Sequence, residues 1–195
     1  HIINEDIIMM DQKKIQELIS RSQQEDAAAF SLLVSTFQPL VFRLAFRLLC
    51  DEDEAKDMVQ ETFVKVWLAL GKYNGECRFS TWIYKITCNT CYDRLRSLYH
   101  SPLDNEADYS VSVNISSDDN VELAVVNKQL RELILRYTDE LSPRQRLIFT
   151  LRDIEELDVP EVQTITGLSA GIIKTTLYLA RKNIRNKMNQ IDAGL

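Results

Sequence analysis

Apolar residues recur along this chain at the spacing of one helical turn, in two blocks separated by a gap. Ile15, Leu18 and Ile19 lie on one stripe, and Phe30, Leu33, Val34, Phe37, Val41, Leu44, Ala45 and Leu48 continue the i, i+3, i+4 pattern. Met58, Val59, Phe63, Val66 and Trp67 mark the next apolar face, followed by Trp82, Ile83, Ile86 and Leu95. Beyond the gap, Val125, Val126, Leu130, Leu133, Ile134 and Tyr137 resume the period, and Leu147, Ile148 and Leu151 extend it. With 5 glycines and 4 prolines in 195 residues, few positions interrupt regular structure. The expectation is an all-α fold.

From about Tyr99 to Asn120 the periodicity vanishes and Ser, Asp and Asn dominate. The charged residues there are Asp104, Glu106, Asp108, Asp118 and Asp119, with Glu122 just beyond, and no Lys or Arg. Such a stretch has too little apolar surface to offset the entropy of ordering it. It predicts two small helical domains joined by a flexible acidic linker. The expected organisation is a lead-in helix and extension over 1–24, one domain over 25–98, the linker over 99–122 and a second domain over 123–195.

Helix ends are written into both halves. Asp51 with Glu54 has capping-box spacing, and Ser80 or Thr81 is placed to cap the helix that follows the Gly71–Gly75 break. Pro39 is expected to start or kink a helix. Ser142-Pro143-Arg144-Gln145 combines a cap, a first-turn proline and a reciprocal Gln. Asp158 and Glu161 repeat the spacing around Pro160, a turn follows at Thr166-Gly167-Leu168, and Ser169 caps a last helix.

Several functions find no support. The cysteines are Cys50, Cys77, Cys88 and Cys91, and no secretory signal precedes them to favour disulfides. Cys88 and Cys91 form a single C-x-x-C with no second pair or nearby histidine, so no metal site or other cofactor is expected, and both read as small apolar residues inside a helix. No apolar run of membrane-spanning length stands out, so no membrane insertion is expected. The histidines, His1 and His100, are poorly placed for acid–base work, and no nucleophile–base pair or phosphate-binding Gly loop appears, so no enzyme is expected.

The net charge of −6 speaks against nucleic acid until its distribution is read, because the acids between Pro102 and Leu123 account for all of it. Ser169 to Met188 holds Lys174, Arg181, Lys182, Arg185 and Lys187 and no acid. A short capped helix, a Gly turn and a longer basic helix make a helix-turn-helix, with Val162, Ile165, Leu168, Ile173 and Leu177 as its small core. The second helix of such a motif enters the major groove with its N-terminal residues at base edges. Lys174, Thr175 and Tyr178 are candidates there, with Ser169 at the cap and Arg181, Lys182 and Arg185 for phosphates. An amphipathic helix packing a small bundle is the plainer alternative.

The first domain has two further features. Asp51 to Asp57, with Gln60 and Glu61, forms an acidic helix face, which is either simply solvated or a docking surface for a basic partner. Lys72-Tyr73, Arg78-Phe79, Thr81-Trp82 and Tyr84-Lys85 interleave basic and aromatic residues, a pattern suited to single-stranded nucleic acid. Asn89 and Asp93, at i and i+4, add polar groups for unstacked bases, whereas Trp82 and Ile83 taken alone read as core.

The run from Asp53 to Trp67, DEAKDMVQETFVKVW, resembles conserved region 2 of the extracytoplasmic-function sigma factors. Phe79 to Ile86, then Asn89 and Asp93-Arg94-Leu95-Arg96, continue the resemblance. Leu141 to Arg146 and Gly167 to Arg181 are similar to region 4. The resemblance covers nearly all of residues 25 to 190. It implies an alternative-sigma subunit, cytoplasmic and non-catalytic, that directs core RNA polymerase to promoter DNA. It implies polymerase contacts by Asp53, Asp57, Gln60, Glu61, Phe63 and Trp67, with the β′ clamp helices and the β flap as partner surfaces. Asn74, Arg78, Trp82, Lys85, Asn89, Asp93 and Arg94 would handle the −10 element. Ser169, Lys174, Thr175, Tyr178, Arg181, Lys182 and Arg185 would read the −35 element. A dedicated anti-sigma factor is also implied, as family members are often held inactive by one. Some positions depart from the pattern. Thr176 and Leu179 stand where basic residues are common, Glu161-Val162-Gln163 replaces an acidic-Ile-Ala run, and Cys88 replaces a basic residue. A helix-turn-helix regulator working without polymerase is the rival reading, and it leaves the Asp53 to Trp67 run unexplained.

Overall fold

A computed structural model describes residues 12–99, 137–138 and 140–193, with side chains to 190. Helices are the only regular elements among the described residues. They are α1 (Gln12–Ser22), α2 (Ala27–Leu49), α3 (Glu52–Ala69), α4 (Phe79–Tyr99), α5 (Pro143–Phe149), α6 (Val159–Thr166) and α7 (Ala170–Ala193). A 3-10 turn, Leu70–Lys72, follows α3, and a π-turn, Thr150–Ile154, follows α5. The expected linker lies outside the described residues apart from Tyr99, which ends α4. The periodic stretch from Val125 onward lies outside them too, up to Tyr137.

Local chemistry sets the helix boundaries. The Asp26 carboxylate accepts from the Ala29 N–H at the start of α2, and Cys50 closes that helix in the left-handed region at φ 56°. Asp51 accepts from the N–H groups of Asp53 and Glu54, and the acidic first turn of α3 sits at the positive end of the helix dipole. The reciprocal half of the expected box is absent, because the Glu54 carboxylate turns to Arg94 instead. Both C-terminal boxes form as expected, Ser142 with Gln145 and Asp158 with Glu161. Gly167 ends α6 at φ 72°, a conformation open to glycine without a Cβ penalty.

Three expectations need correction. Of the two alternatives for Pro39, the helix start is overturned, because it lies inside α2, which continues from Ala27 to Leu49. Helix α4 begins at Phe79, ahead of Ser80, with the Arg78 carbonyl accepting from the Trp82 N–H. And α2 is long and apolar enough by composition to cross a membrane. Its burial explains the apolarity, since Leu33, Phe37, Val41, Leu44 and Leu48 are each at most 1% exposed within the core.

Helices α1 to α4 pack around that core, α2 meeting α1, α3 and α4. Helices α5, α6 and α7 form the second unit, in which Leu147, Ile148, Leu151, Val162, Ile165, Ile173 and Leu177 are buried. The two units touch. One face of α4 packs on α2 and α3, another on α5 and α6, and the buried residues form one continuous cluster. At this junction Glu155, 3% exposed, accepts from the Arg47 guanidinium of α2. Glu155 is delivered by a tight reversal in which Glu156 takes φ 56° and the Leu157 carbonyl accepts from Arg152.

Candidate nucleic-acid interface

Three exposed stripes carry the residues singled out by sequence, and each follows from where its helix is buried. On α3 the buried residues Ala55, Met58, Val59, Thr62, Phe63 and Val66 face the core. Asp53, Asp57, Gln60 and Glu61 occupy the opposite, exposed side. Val64 and Leu68 extend that side at 58% and 75% exposure, two apolar groups offered to water at the spacing of a helical turn. Sequence reading overlooked them, although their i, i+4 relation to Gln60 and to each other was the available signal. Phe63 is only 7% exposed and so belongs to the core, not to the stripe. Trp67 is half-buried, its ring centroid 4.7 Å from that of Phe30.

On α4, Trp82, Lys85, Asn89 and Asp93 stand at i, i+3, i+7 and i+11, one line along the helix. Trp82 is half-buried and the other three are exposed. Arg94 falls off this line. It makes two 2.6 Å hydrogen bonds to the Glu54 carboxylate, clamping α4 to α3. The pair raises the arginine's pKa, through that hydrogen bond first, and engages the guanidinium's fork.

The loop before α4 is held in shape from several sides. Gln23 donates to the carbonyls of Leu70 and Tyr73, each at 3.0 Å, and the Tyr73 hydroxyl donates to the Cys77 carbonyl at 2.7 Å. Asn74 accepts from the Glu76 N–H at 3.2 Å, and Gly75 takes φ 80°. Tyr73, Phe79 and Trp82 form an aromatic cluster with centroids 5.1 to 5.5 Å apart. Beside it lies a cleft of about 420 Å³ whose lining includes Lys72, Asn74, Trp82 and Lys85, and Thr164 from the second unit. Arg78 is exposed at the helix start. Gln23 had no visible sequence signal, because its partners lie 47 and 50 residues away.

Behind this face the cysteines are apolar filler. Cys88 and Cys91 are buried free thiols, and burial pushes Cys91 up to about 12 and Cys88 well above its ordinary value. No cluster of metal-ligating side chains occurs among the described residues. Burial likewise raises the Tyr84 phenol, whose neighbours include Cys88 and Glu155.

On α7, Ile173, Leu177 and Ala180 face inward. Ser169 caps the helix, accepting from the Ile172 N–H at 3.4 Å. Lys174, Thr175, Tyr178, Lys182 and Arg185 are exposed on the outer side. Arg181 makes two hydrogen bonds to Asp153, at 2.8 and 2.6 Å, so its fork is directed back to the π-turn. The outward side also carries Ile172 and Leu179, both more than 40% exposed.

An all-helical pair of units, one with a polar and aromatic cleft and one with a basic helix-turn-helix, is the arrangement expected of a two-part DNA-reading transcription factor. The sequence matches the family models for sigma-70 region 2 over residues 33–100 and sigma-70 region 4 over residues 131–184. The ECF RNA polymerase sigma-E factor of Salmonella typhimurium is 30% identical over 189 residues, 94% of this chain and 98% of that protein. The RNA polymerase sigma-H factor of Pseudomonas aeruginosa is 29% identical over 182 residues, 90% of this chain and 94% of that protein. Among solved structures, CnrH in complex with the cytosolic domain of CnrY aligns with TM-score 0.62 at 20% identity, covering 92% of this chain and 99% of that one. The sigma factor RpoE with the anti-sigma factor NepR from Bartonella quintana aligns with TM-score 0.56 at 22% identity, covering 81% and 93%. The chain belongs to the extracytoplasmic-function RNA polymerase sigma factors. It is accordingly an alternative-sigma subunit, directing RNA polymerase to promoters, and the polymerase-independent regulator is not favoured.

Proposed function

We propose that the three stripes divide the work of initiation. The α3 stripe of Asp53, Asp57, Gln60, Glu61, Val64 and Leu68 docks on the β′ clamp helices of core polymerase, acids meeting basic groups and the two apolar residues filling the contact's centre. Trp67 supports this surface from its edge, and Phe63 supports it from within. The α4 line of Trp82, Lys85, Asn89 and Asp93, with Asn74 and Arg78 at its head, captures unpaired bases of the −10 element. Capture offsets a few kcal/mol of unstacking for each flipped base. Arg94 serves here by fixing α4 to α3. The exposed face of α7 reads the −35 element as intact duplex, with Lys174, Thr175 and Tyr178 toward bases, Lys182 and Arg185 toward phosphates and Ser169 at the leading end. Arg181 joins them only by leaving Asp153. The second unit also meets the β flap. The observation that carries this reading is the α4 line beside a cleft walled by aromatic, amide and ammonium groups.

The protein works in the cytoplasm and performs no covalent chemistry. Two weak grips gain strength from effective concentration once polymerase fixes their separation. A dedicated anti-sigma factor holds it inactive, a reading supported by the complex of the structural neighbour RpoE with the anti-sigma factor NepR. Run-off transcription with core polymerase tests the whole proposal. Added protein is expected to give promoter-specific transcripts from genomic templates, and templates that stay silent would contradict it.

A further inference from the structure

Helix α7 shows solvent a stripe whose side chains lengthen along it. Opposite the inward Ile173, Leu177 and Ala180, the residues at i, i+4, i+7 and i+11 are Gly171, Thr175, Tyr178 and Lys182, all exposed. The stripe thus begins with no side chain and ends with a long cation. The fold does not require the glycine. Gly171 lies within α7, its backbone is not left-handed, and a Cβ built there meets nothing within 4 Å. Alanine is the better helix former, so the free protein gains nothing from glycine at this position. Glycine otherwise serves where a backbone must come very close to a ligand.

We propose that Gly171 is a positioning residue for duplex reading: its missing Cβ lets the first turn of α7 sink into the major groove. The groove is about 12 Å wide and a helix with its side chains about 10–12 Å across, so one added carbon on the leading turn lifts the helix. The taper then has a physical sense. The bare end sits deepest, Thr175 and Tyr178 follow at the base edges, and Lys182 spans the widening gap to a phosphate. The proposal rests on the −35 reading of α7.

The test uses holoenzyme assembled with core polymerase on a promoter recovered by run-off transcription, and on the same promoter with its −35 element scrambled. Gly171→Ala is expected to melt at or above the temperature of the unmodified chain. It should bind the intact promoter about ten-fold more weakly, a loss of about 1.4 kcal/mol. On the scrambled template it should match the unmodified chain. Gly171→Met, longer but still a good helix former, should lose more. Native promoter binding by Gly171→Ala, alongside weakened binding by Lys182→Ala, would overturn the proposal and leave the −35 reading intact. A lower melting temperature for Gly171→Ala would assign the glycine to the fold and also overturn it. If neither Lys182→Ala nor scrambling changes binding, the −35 reading falls and the proposal with it.

Discussion

Helix α4 is packed on one face by α2 and α3 and on another by α5 and α6, whereas α7 packs on α5 and α6 and shows its opposite side to solvent. Eight residues of α4's 21 are buried, from Phe79 to Leu95, so its outward groups stand on a surface gripped from several sides. In α7, Ile173, Leu177 and Ala180 are the buried ones among residues 170–190. Capturing a base out of a duplex needs a preformed receptor, since any softness in it subtracts from the energy available for unstacking. A duplex already has its shape, and a helix on a small core suffices to read its groove. The second unit also leans on the first, through α4 and through Glu155 on Arg47.

This asymmetry is open to direct attack. Phe37→Ala, emptying a site 1% exposed in the first unit, should cost about 3–5 kcal/mol in urea unfolding. Amide hydrogen exchange should show lost protection in both units, whereas Leu177→Ala should expose α5 to α7 and spare α2 and α4. Equal spread from both variants would refute the dependence of one unit on the other. Glu155→Ala strips the Arg47 guanidinium, 17% exposed, of its partner and should cost about 3 kcal/mol. Its exchange signature should concentrate where α4 meets α5 and α6. A smaller effect, about 1 kcal/mol, is expected for Ser142→Ala, which removes the cap of α5, measured by the same unfolding curves.

The thiols give the mildest readout. Cys91 titrates near 12 in the fold against 9.0 for a free thiol, and Cys88 is raised also. Because the folded values are raised, the thiols' share of stability is complete below pH 9 and is lost as pH climbs toward 12. Replacing both by alanine should flatten that alkaline decline. At pH 8 a thiol reagent should label the half-buried Cys77 well before the three buried cysteines.

What sequence disclosed here was local. Ser142 and Gln145, Asp158 and Glu161, and Gly167 are separated by a turn or less from the groups they satisfy, so their spacing reveals them. The Arg94 and Arg181 partners are 40 and 28 residues away, and Glu155 meets Arg47 across 108. Periodicity assigns such residues to a face, but it does not say which opposite charge will arrive there. That is why two arginines counted toward DNA are engaged by carboxylates. Phe63 shows the other side of this, because periodicity placed it on the apolar face of α3, where it is 7% exposed, and only the resemblance counted it toward the polymerase. Val64 and Leu68 escaped notice because an apolar residue reads as core until its exposure is known.

The central claim is that separated strands are held by α4 and intact duplex by α7. Permanganate probing of −10 thymines, run beside −35 footprinting on the same holoenzyme–promoter complexes, tests it most directly. With Lys85→Ala and Asn89→Ala combined, the account predicts a closed −10 region under an unchanged −35 footprint. With Lys174→Ala and Lys182→Ala combined, it predicts a weakened −35 footprint, while a template already melted at −10 is still bound. Loss of both signals together from either pair would contradict it.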